Sequence, residues 1–117
     1  MKFDPNRPIW LQVMTDLKTD IAIGKRLPGT RLPGGRDLAI QYGINPNTAA
    51  RVYQELEKKG LCETRRGMGT YVTENAEHIR DLRKGMAMQA VREFLDSMAV
   101  LGFSPEQAAE MIRKQEE

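Results

Sequence analysis

Hydrophobic positions recur at helical spacing in the first half of the chain, and glycines and prolines separate the segments. Ile9, Val13, Leu17 and Ile21 lie at steps of four, which predicts a first helix over residues 8–23. The following stretch, GKRLPGTRLPGG, has four glycines and two prolines and is predicted to be an irregular loop. A short second helix is predicted over residues 36–42, with Gly43 as its stop.

A third helix is predicted over residues 46–59, with Asn45 as its N-cap and Pro46 at its first position. One face is apolar and should lie against the core; it carries Ala49, Val52, Tyr53 and Leu56. The opposite face is polar; it carries Asn47, Arg51, Gln54 and Lys58, with Thr48 at its edge. Amide, hydroxyl and guanidinium groups on an exposed helix face are the groups that read base edges in a DNA major groove.

Two short strands are predicted after this helix, over residues 61–65 and 70–73, with a turn at residues 66–69. Arg65 and Arg66 are adjacent near the tip of this hairpin, beside Gly67, where they can reach phosphates or a minor groove. A short helix, a turn, a polar-faced helix and a basic hairpin follow one another as in a winged helix-turn-helix. The predicted fold class is therefore mainly α, with a winged helix-turn-helix domain over residues 1–73.

The tail, residues 74–117, is predicted to be a helical dimerisation segment. A long helix over residues 75–101 is followed by a second one that begins after Ser104, with Gln107 completing a capping box. The long helix has an apolar stripe too wide for one short neighbour to cover, and a second copy of the chain is the natural cover. The predicted dimer contact comprises Leu82, Met86, Ala90, Phe94, Met98 and Leu101.

Charge is distributed unevenly along the chain. Residues 1–72 have 12 lysines and arginines against 7 acidic residues, and residues 73–117 have 6 against 9. A basic N-terminal segment followed by an acidic C-terminal one is typical of a polyanion-binding domain joined to a tail with another role. One cysteine, no signal-peptide core and no apolar run of about 20 residues favour a cytoplasmic protein without a membrane span.

Four segments resemble the DNA-binding domain of the GntR family of bacterial transcription regulators: IWLQV, RLPGGRDLA, GINPNTAARVYQELEKKGL and ETRRGMGTYV. They agree in order and spacing over residues 8–73, and the asparagine-rich start of the third helix and the short tail look most like the YtrA-like subfamily. The resemblance implies a homodimer joined by the C-terminal helices. It also implies a palindromic operator, often near ABC transporter genes.

The resemblance also assigns DNA-binding positions. Arg36 matches the arginine that follows the LPxx loop and approaches the DNA, and the wing maps to Arg65, Arg66 and Gly67. The start of the recognition helix, which is the third helix, maps to Asn45, Asn47 and Thr48, and Arg51 matches a commonly basic position in the YtrA-like branch. Other branches often have arginine where Pro46 stands, and some have a second arginine where Ala50 stands. We therefore expect specificity to depend more heavily on Asn47, Thr48 and Arg51.

Other interpretations stay open at this point. A small molecule in an inter-helix crevice rich in methionine would make the protein ligand-gated, and a winged helix can instead serve as a protein-interaction module without DNA binding. An enzyme is the least favoured class, because no nucleophile–base pattern, phosphate loop or metal spacing is present, and no cofactor is predicted. Cys62 is predicted to be a small core residue, Trp10 to pack in the core or at the dimer contact, and His78 to be a solvated residue of the linking helix.

Overall fold

The computed structural model describes residues 1–116, in which five helices and one two-stranded antiparallel sheet occur. The elements are α1 (Ile9–Ala22), α2 (Gly35–Tyr42), α3 (Pro46–Lys58), β1 (Cys62–Arg65), β2 (Gly69–Val72), α4 (Ala76–Val100) and α5 (Pro105–Gln115). These bounds confirm every predicted helix and both predicted strands to within one or two residues. Within residues 1–116, no helix is both long enough and apolar enough to span a membrane.

The backbone forms two compact units, Met1–Arg83 and a second that begins at Lys84. The first unit holds α1 to β2 and the start of α4. The boundary between the two compact units lies after Arg83, ten residues beyond the boundary predicted after residue 73 between the DNA-binding domain and the dimerisation segment.

The core of the first unit is built by α1, α2, α3 and the sheet. The predicted inner face of α1 is confirmed for Val13, Leu17 and Ile21, which are all nearly inaccessible to solvent, whereas Ile9 stays 45% exposed. The predicted inner face of α3 is confirmed in full; its members Ala49, Val52, Tyr53 and Leu56 are buried. This packing fixes the rotation of α3, so that its polar face must point away from the core.

The first residues of the chain fold back onto α1 through Gln12, the one buried polar side chain among residues 1–116. Its amide oxygen accepts a hydrogen bond from the Asp4 backbone N–H at 2.9 Å, and its amide nitrogen donates to the carbonyl oxygens of Asp4 and Arg7. Every polar atom of this side chain is thus paired, which allows its burial.

The stretch between α1 and α2 is more ordered than the predicted irregular loop. The Leu32 N–H donates to the Thr70 carbonyl at 2.8 Å, and the Val72 N–H donates to the Thr30 carbonyl at 2.9 Å. Arg31 forms an antiparallel bridge with Tyr71, so this segment runs beside β2 like a third strand. The glycines and prolines predict local irregularity, but the backbone groups between them find partners in a strand distant in sequence.

The start of α4 belongs to the first unit. Ile79 and Leu82 pack partly against its core, and the His78 Nε2 atom lies 2.8 Å from the Lys59 carbonyl at the end of α3. His78 is therefore half-buried rather than fully solvated, because its ring hydrogen-bonds to a carbonyl that the end of α3 leaves without a partner inside the helix.

The second unit holds the rest of α4 and α5. The predicted capping box is confirmed: Ser104 Oγ accepts from the Gln107 N–H at 3.1 Å, and the Gln107 side chain accepts from the Ser104 N–H at 2.8 Å. Ala108 is the one fully buried residue between Lys84 and residue 116, and no residue of α4 is buried. The single chain therefore leaves most apolar side chains of this unit in contact with solvent.

Candidate nucleic-acid interface

The turn between α2 and α3 sets the start of the candidate recognition helix. Gly43 ends α2 in a left-handed conformation (φ 66°), which glycine adopts at low cost. Asn45 then caps α3, and its side-chain oxygen accepts from the Asn47 backbone N–H at 2.8 Å. The connection Gly43–Asn45 has the length expected of a helix-turn-helix.

The polar face of α3 lies where the sequence predicts it. Asn47, Arg51, Gln54 and Lys58 are exposed, and Thr48 is half-buried at the edge of the face. The Asn45 side chain is committed to the cap, whereas no hydrogen bond engages the Asn47 amide group among residues 1–116. Asn47 can thus offer both a donor and an acceptor to a ligand that approaches this face.

Arg51 has a neighbour that the sequence does not reveal. Its guanidinium carbon lies 4.1 Å from the centroid of the Trp10 ring, in the range of a cation–π contact. Trp10 is half-buried and packs against the core, the first of the two places predicted for it. A guanidinium that stacks on an aromatic ring uses its face for that contact and can keep its N–H edge for hydrogen bonds.

Arg36 lies in the first turn of α2, exposed to solvent. It lines a shallow, largely apolar depression together with Ile40, Ile44 and Pro46, which places it beside the start of α3. Ile40 is 78% exposed, so α2 presents an apolar group next to this arginine. The structure therefore brings Arg36 and the first turn of α3 to one surface.

The hairpin of β1 and β2, here called the wing, has its tip between Arg65 and Gly69, which are paired across the strands. The turn closes through a hydrogen bond of 2.8 Å from the Met68 N–H to the Arg65 carbonyl. Gly67 (φ 74°) and Gly69 (φ 113°) both require the positive φ that glycine tolerates. Glu57 of α3 contacts the Thr64 hydroxyl at 3.4 Å, which links the wing to the recognition helix.

The two predicted wing arginines differ in their surroundings. The Arg65 guanidinium is 2.8 Å from a Glu63 carboxylate oxygen and stacks on Tyr71 at 4.2 Å. The hydrogen bond to Glu63 raises the pKa of Arg65 above its already high ordinary value. Arg66 is exposed at the turn, and no ion pair engages it among residues 1–116.

Arg31 is a candidate that sequence reasoning missed. Its bridge to Tyr71 places it beside the wing, and a Cβ atom at Gly69 would lie 2.8 Å from the Arg31 Nε atom. Glycine at position 69 thus gives the Arg31 side chain room at the wing tip. No local pattern in TRLPGG indicates this position, because it depends on pairing with β2.

Two buried side chains that can ionise, Tyr53 and Cys62, lie behind this surface. The Tyr53 hydroxyl donates a hydrogen bond to the Pro33 carbonyl, which ties α3 to the segment that precedes α2. Burial raises the pKa of Tyr53 to about 12, and burial also raises the pKa of the Cys62 thiol to about 12. Both groups stay protonated and neutral in the core at ordinary pH, as the prediction of a packed Cys62 requires.

A protein-family model matches the region that carries this surface. The model of "Bacterial regulatory proteins, gntR family" matches residues 10–72. The matched range begins at Trp10 and ends at Val72, so it contains α1 except for its first residue, the helix-turn-helix and the wing.

Individual relatives extend this likeness. An uncharacterised HTH-type transcriptional regulator of Bacillus subtilis, YhcF, is 37% identical over 96% of this chain and 93% of its own length. The HTH-type transcriptional repressor YtrA of the same organism is 42% identical over 66% of this chain and 61% of its own length. The likeness to YhcF thus includes the tail as well as the matched domain.

Solved structures show the same architecture. A GntR family transcriptional regulator from Listeria monocytogenes superposes with a TM-score of 0.88, at 34% identity, over 96% of this chain and 98% of that one. The DNA-binding domain of AraR in complex with operator ORX1 superposes with a TM-score of 0.58, at 27% identity, over 62% of this chain and 93% of that one. The winged helix and the two-helix tail are therefore both found in a solved relative.

Proposed function

Because this chain belongs to the GntR family of bacterial DNA-binding transcription regulators and is similar to YtrA, we propose that it is a repressor. In this proposal the protein binds a palindromic operator as a homodimer. Residues 1–73 bind the DNA, and residues 74–117 join the two copies. The observation that carries the proposal is the capped α3 helix, whose polar face stays exposed while its apolar face is buried.

The recognition helix supplies the proposed base contacts. A major groove admits an α-helix, and asparagine and arginine edges match adenine and guanine respectively. Asn47 and Arg51 are both exposed on α3, and Arg51 has no hydrogen-bond partner among residues 1–116. Thr48 and Asn45 lie at the helix start, where backbone N–H groups also favour a phosphate.

The wing and Arg36 supply the proposed backbone contacts. Arg66 and Gly67 are exposed at the turn, and Arg31 lies beside Gly69. Phosphate contacts of this kind fix register and orientation without reading sequence. Arg65 contributes less charge to a phosphate than Arg66 does, since Glu63 already offsets it.

Exposed apolar side chains of the second unit support the proposed homodimer. Val91 and Phe94 of α4 are 48% and 39% exposed, and Met111 and Ile112 of α5 are 42% and 50% exposed. Patches of this kind on a small helical unit mark an interface, and closed two-fold assembly is the commonest solution. The proposed contact comprises Leu82, Met86, Ala90, Phe94, Met98 and Leu101; of these, Leu82 belongs to the first unit and packs partly against its core.

Two-fold symmetry of the protein requires a pseudo-palindromic site, with half-sites about one helical turn apart. Repression follows if that site overlaps a promoter, and control of an ABC transporter operon is the regulatory role we propose. Such a role places the protein in the cytoplasm with the chromosome. A small-molecule effector would act by changing the spacing of the two DNA-binding units.

Selection of bound sequences from random duplex DNA, followed by affinity measurements at several salt concentrations, tests the proposal. We expect an inverted repeat that loses affinity when one half-site is scrambled. Binding that falls with salt but enriches no motif would show only a basic surface. That result would overturn the proposal in favour of a protein-interaction module.

A further inference from the structure

We propose that Trp10 is a positioning residue for operator recognition, because it holds the Arg51 guanidinium in the orientation that reads a base. This inference rests on the proposed function. It means that a residue of α1 contributes to sequence specificity, which would otherwise depend on the recognition helix alone. The juxtaposition that carries it is the guanidinium of Arg51 over the Trp10 ring, 4.1 Å from the centroid.

The contact joins two helices whose rotations are both fixed by burial in the core. Arg51 lies on α3, whose rotation is set by the burial of Val52 and Leu56. Trp10 lies in the first turn of α1, half-buried, and packs against the same core. Because neither helix can turn without exposing apolar surface, the ring offers a stationary platform to the arginine.

The N-terminal segment adds support on the other side of α1. Gln12, two residues after Trp10, binds the backbone of Asp4 and Arg7 with both ends of its amide group. The first turn of α1 is thus held by the chain that precedes it, and the Pro8 carbonyl accepts the Gln12 N–H at 3.3 Å. This turn carries Trp10, so the platform does not depend on a frayed helix end.

Stacking on Trp10 restricts the Arg51 side chain to few rotamers. A free arginine side chain samples many rotamers and loses that freedom on binding, whereas a stacked guanidinium is already ordered. Its planar N–H edge remains open, and that edge matches the O6 and N7 acceptors of guanine. Trp10 would therefore increase both the affinity for the operator and the preference for guanine at one position.

The test measures the affinity of each variant for two duplexes. The first is the duplex enriched by the wild-type protein, and the second has a different base in place of the guanine whose preference Arg51→Ala relaxes. Trp10→Leu keeps apolar volume and removes the aromatic face, whereas Trp10→Tyr keeps an aromatic face. We expect Trp10→Leu to weaken operator binding about two- to thirtyfold, the range of cation–π contacts, and to lower the preference for that guanine. Trp10→Tyr should restore most of both.

A double-mutant cycle separates positioning from a general effect on folding. If Trp10 acts through Arg51, then Trp10→Leu should cost little more in a protein that already has Arg51→Ala. Thermal unfolding of each variant shows whether the fold is kept. Trp10 is also the sole tryptophan, so its fluorescence should change both on Arg51→Ala and on adding operator DNA to the wild type.

The possible results separate failure of the role of Trp10 from failure of the proposed function. Loss of guanine preference by Arg51→Ala but not by Trp10→Leu would overturn the role of Trp10 and leave the proposed function standing. Equal weakening by Trp10→Leu on both duplexes, or full additivity with Arg51→Ala, would reduce Trp10 to a packing residue. If the wild type shows no sequence-selective binding at all, the proposed function fails, and the role of Trp10 fails with it.

Discussion

The carboxylate of Glu63 lies 2.8 Å from the Arg65 guanidinium, on the strand that leads to the wing tip. The next residue, Arg66, is exposed at the turn and has no ion pair within residues 1–116. Two neighbouring arginines therefore present different net charge to a phosphate. The pairing is between exposed groups, so added salt screens it.

Arg66→Ala should weaken binding to operator and unrelated duplexes by similar factors, since a phosphate contact carries no sequence information. The salt dependence of the affinity should become shallower by about one unit of log–log slope. Arg65→Ala should have a smaller effect, because Glu63 already offsets that charge. Titrations at several salt concentrations measure both slopes.

Glu63→Gln is the matched control for the wing. It removes the offsetting carboxylate and keeps the size of the side chain, so we expect binding to every duplex to strengthen and its salt slope to become steeper. If Arg65→Ala weakened binding more than Arg66→Ala did, the pairing with Glu63 would not limit Arg65. The assignment of the two arginines would then have to be exchanged.

Arg51→Ala should weaken operator binding by about 1–3 kcal/mol and relax the preference at one base pair. Lys58→Ala is the control on the same helix, because Lys58 carries the same charge but pairs with Glu55 at 3.4 Å near the far end. We expect the control to change affinity little and specificity not at all. Competition between the operator and single-base variants measures both, and uniform weakening by Arg51→Ala would show a phosphate contact instead.

Local sequence signals predict much of this fold because their causes are local. Asn45 and Pro46 mark the start of α3 since capping depends on residues two or three positions apart. The buried face of α3 follows from helical periodicity alone, and so does the exposure of Asn47 and Arg51. The family model and the solved relative confirm the winged-helix fold and the resemblance on which the residue assignments depend.

Contacts between distant segments are what the sequence does not predict. The stacking of Arg51 on Trp10 joins residues 41 positions apart, and no periodicity relates them. The pairing of Arg31 with Tyr71 likewise needs the folded sheet edge, and glycines and prolines hide it by indicating a loop. His78 shows the same limit, since its partner is a backbone carbonyl that becomes free only where α3 ends.

Phe94→Asp should separate the proposed dimer, because it places a charge on an apolar face that a second copy would cover. Gln89→Asp is the matched control, because it adds the same charge to α4 at an exposed polar position. The Gln89 side chain donates a hydrogen bond to Glu93 and accepts one from Arg92. Sedimentation should show a monomer for the first variant and a dimer for the second. The monomer should also lose its preference for two half-sites over one.

A dimeric Phe94→Asp protein would place the interface elsewhere on the second unit. Met111→Asp on α5 then becomes the informative variant, since Met111 is 42% exposed on the other helix of that unit. Far-ultraviolet circular dichroism of each variant would show whether the helices are retained. Loss of helix in Phe94→Asp would itself indicate that the second unit folds only when two copies associate.

The Cys62 thiol should make the free energy of unfolding fall as pH rises above about 9. Burial raises the pKa of this thiol from 9.0 to about 12, so the unfolded chain loses the proton at lower pH than the folded protein does. The stabilising contribution is therefore fully present below pH 9 and is lost as the pH rises towards 12. One such group accounts for about 1 kcal/mol between about pH 8 and about pH 10.

Urea unfolding at these two pH values measures the change, and Cys62→Ala is the comparison. The variant should be less stable at the lower pH, because Cys62 is 4% exposed and packs in the core. Its further loss towards the higher pH should be smaller than that of the wild type, since the thiol is gone. Tyr53, whose pKa is also raised to about 12, remains in both proteins and contributes equally. Parallel losses in the two proteins would contradict a buried, neutral thiol at Cys62 and would assign the alkaline instability to Tyr53 and the other phenols.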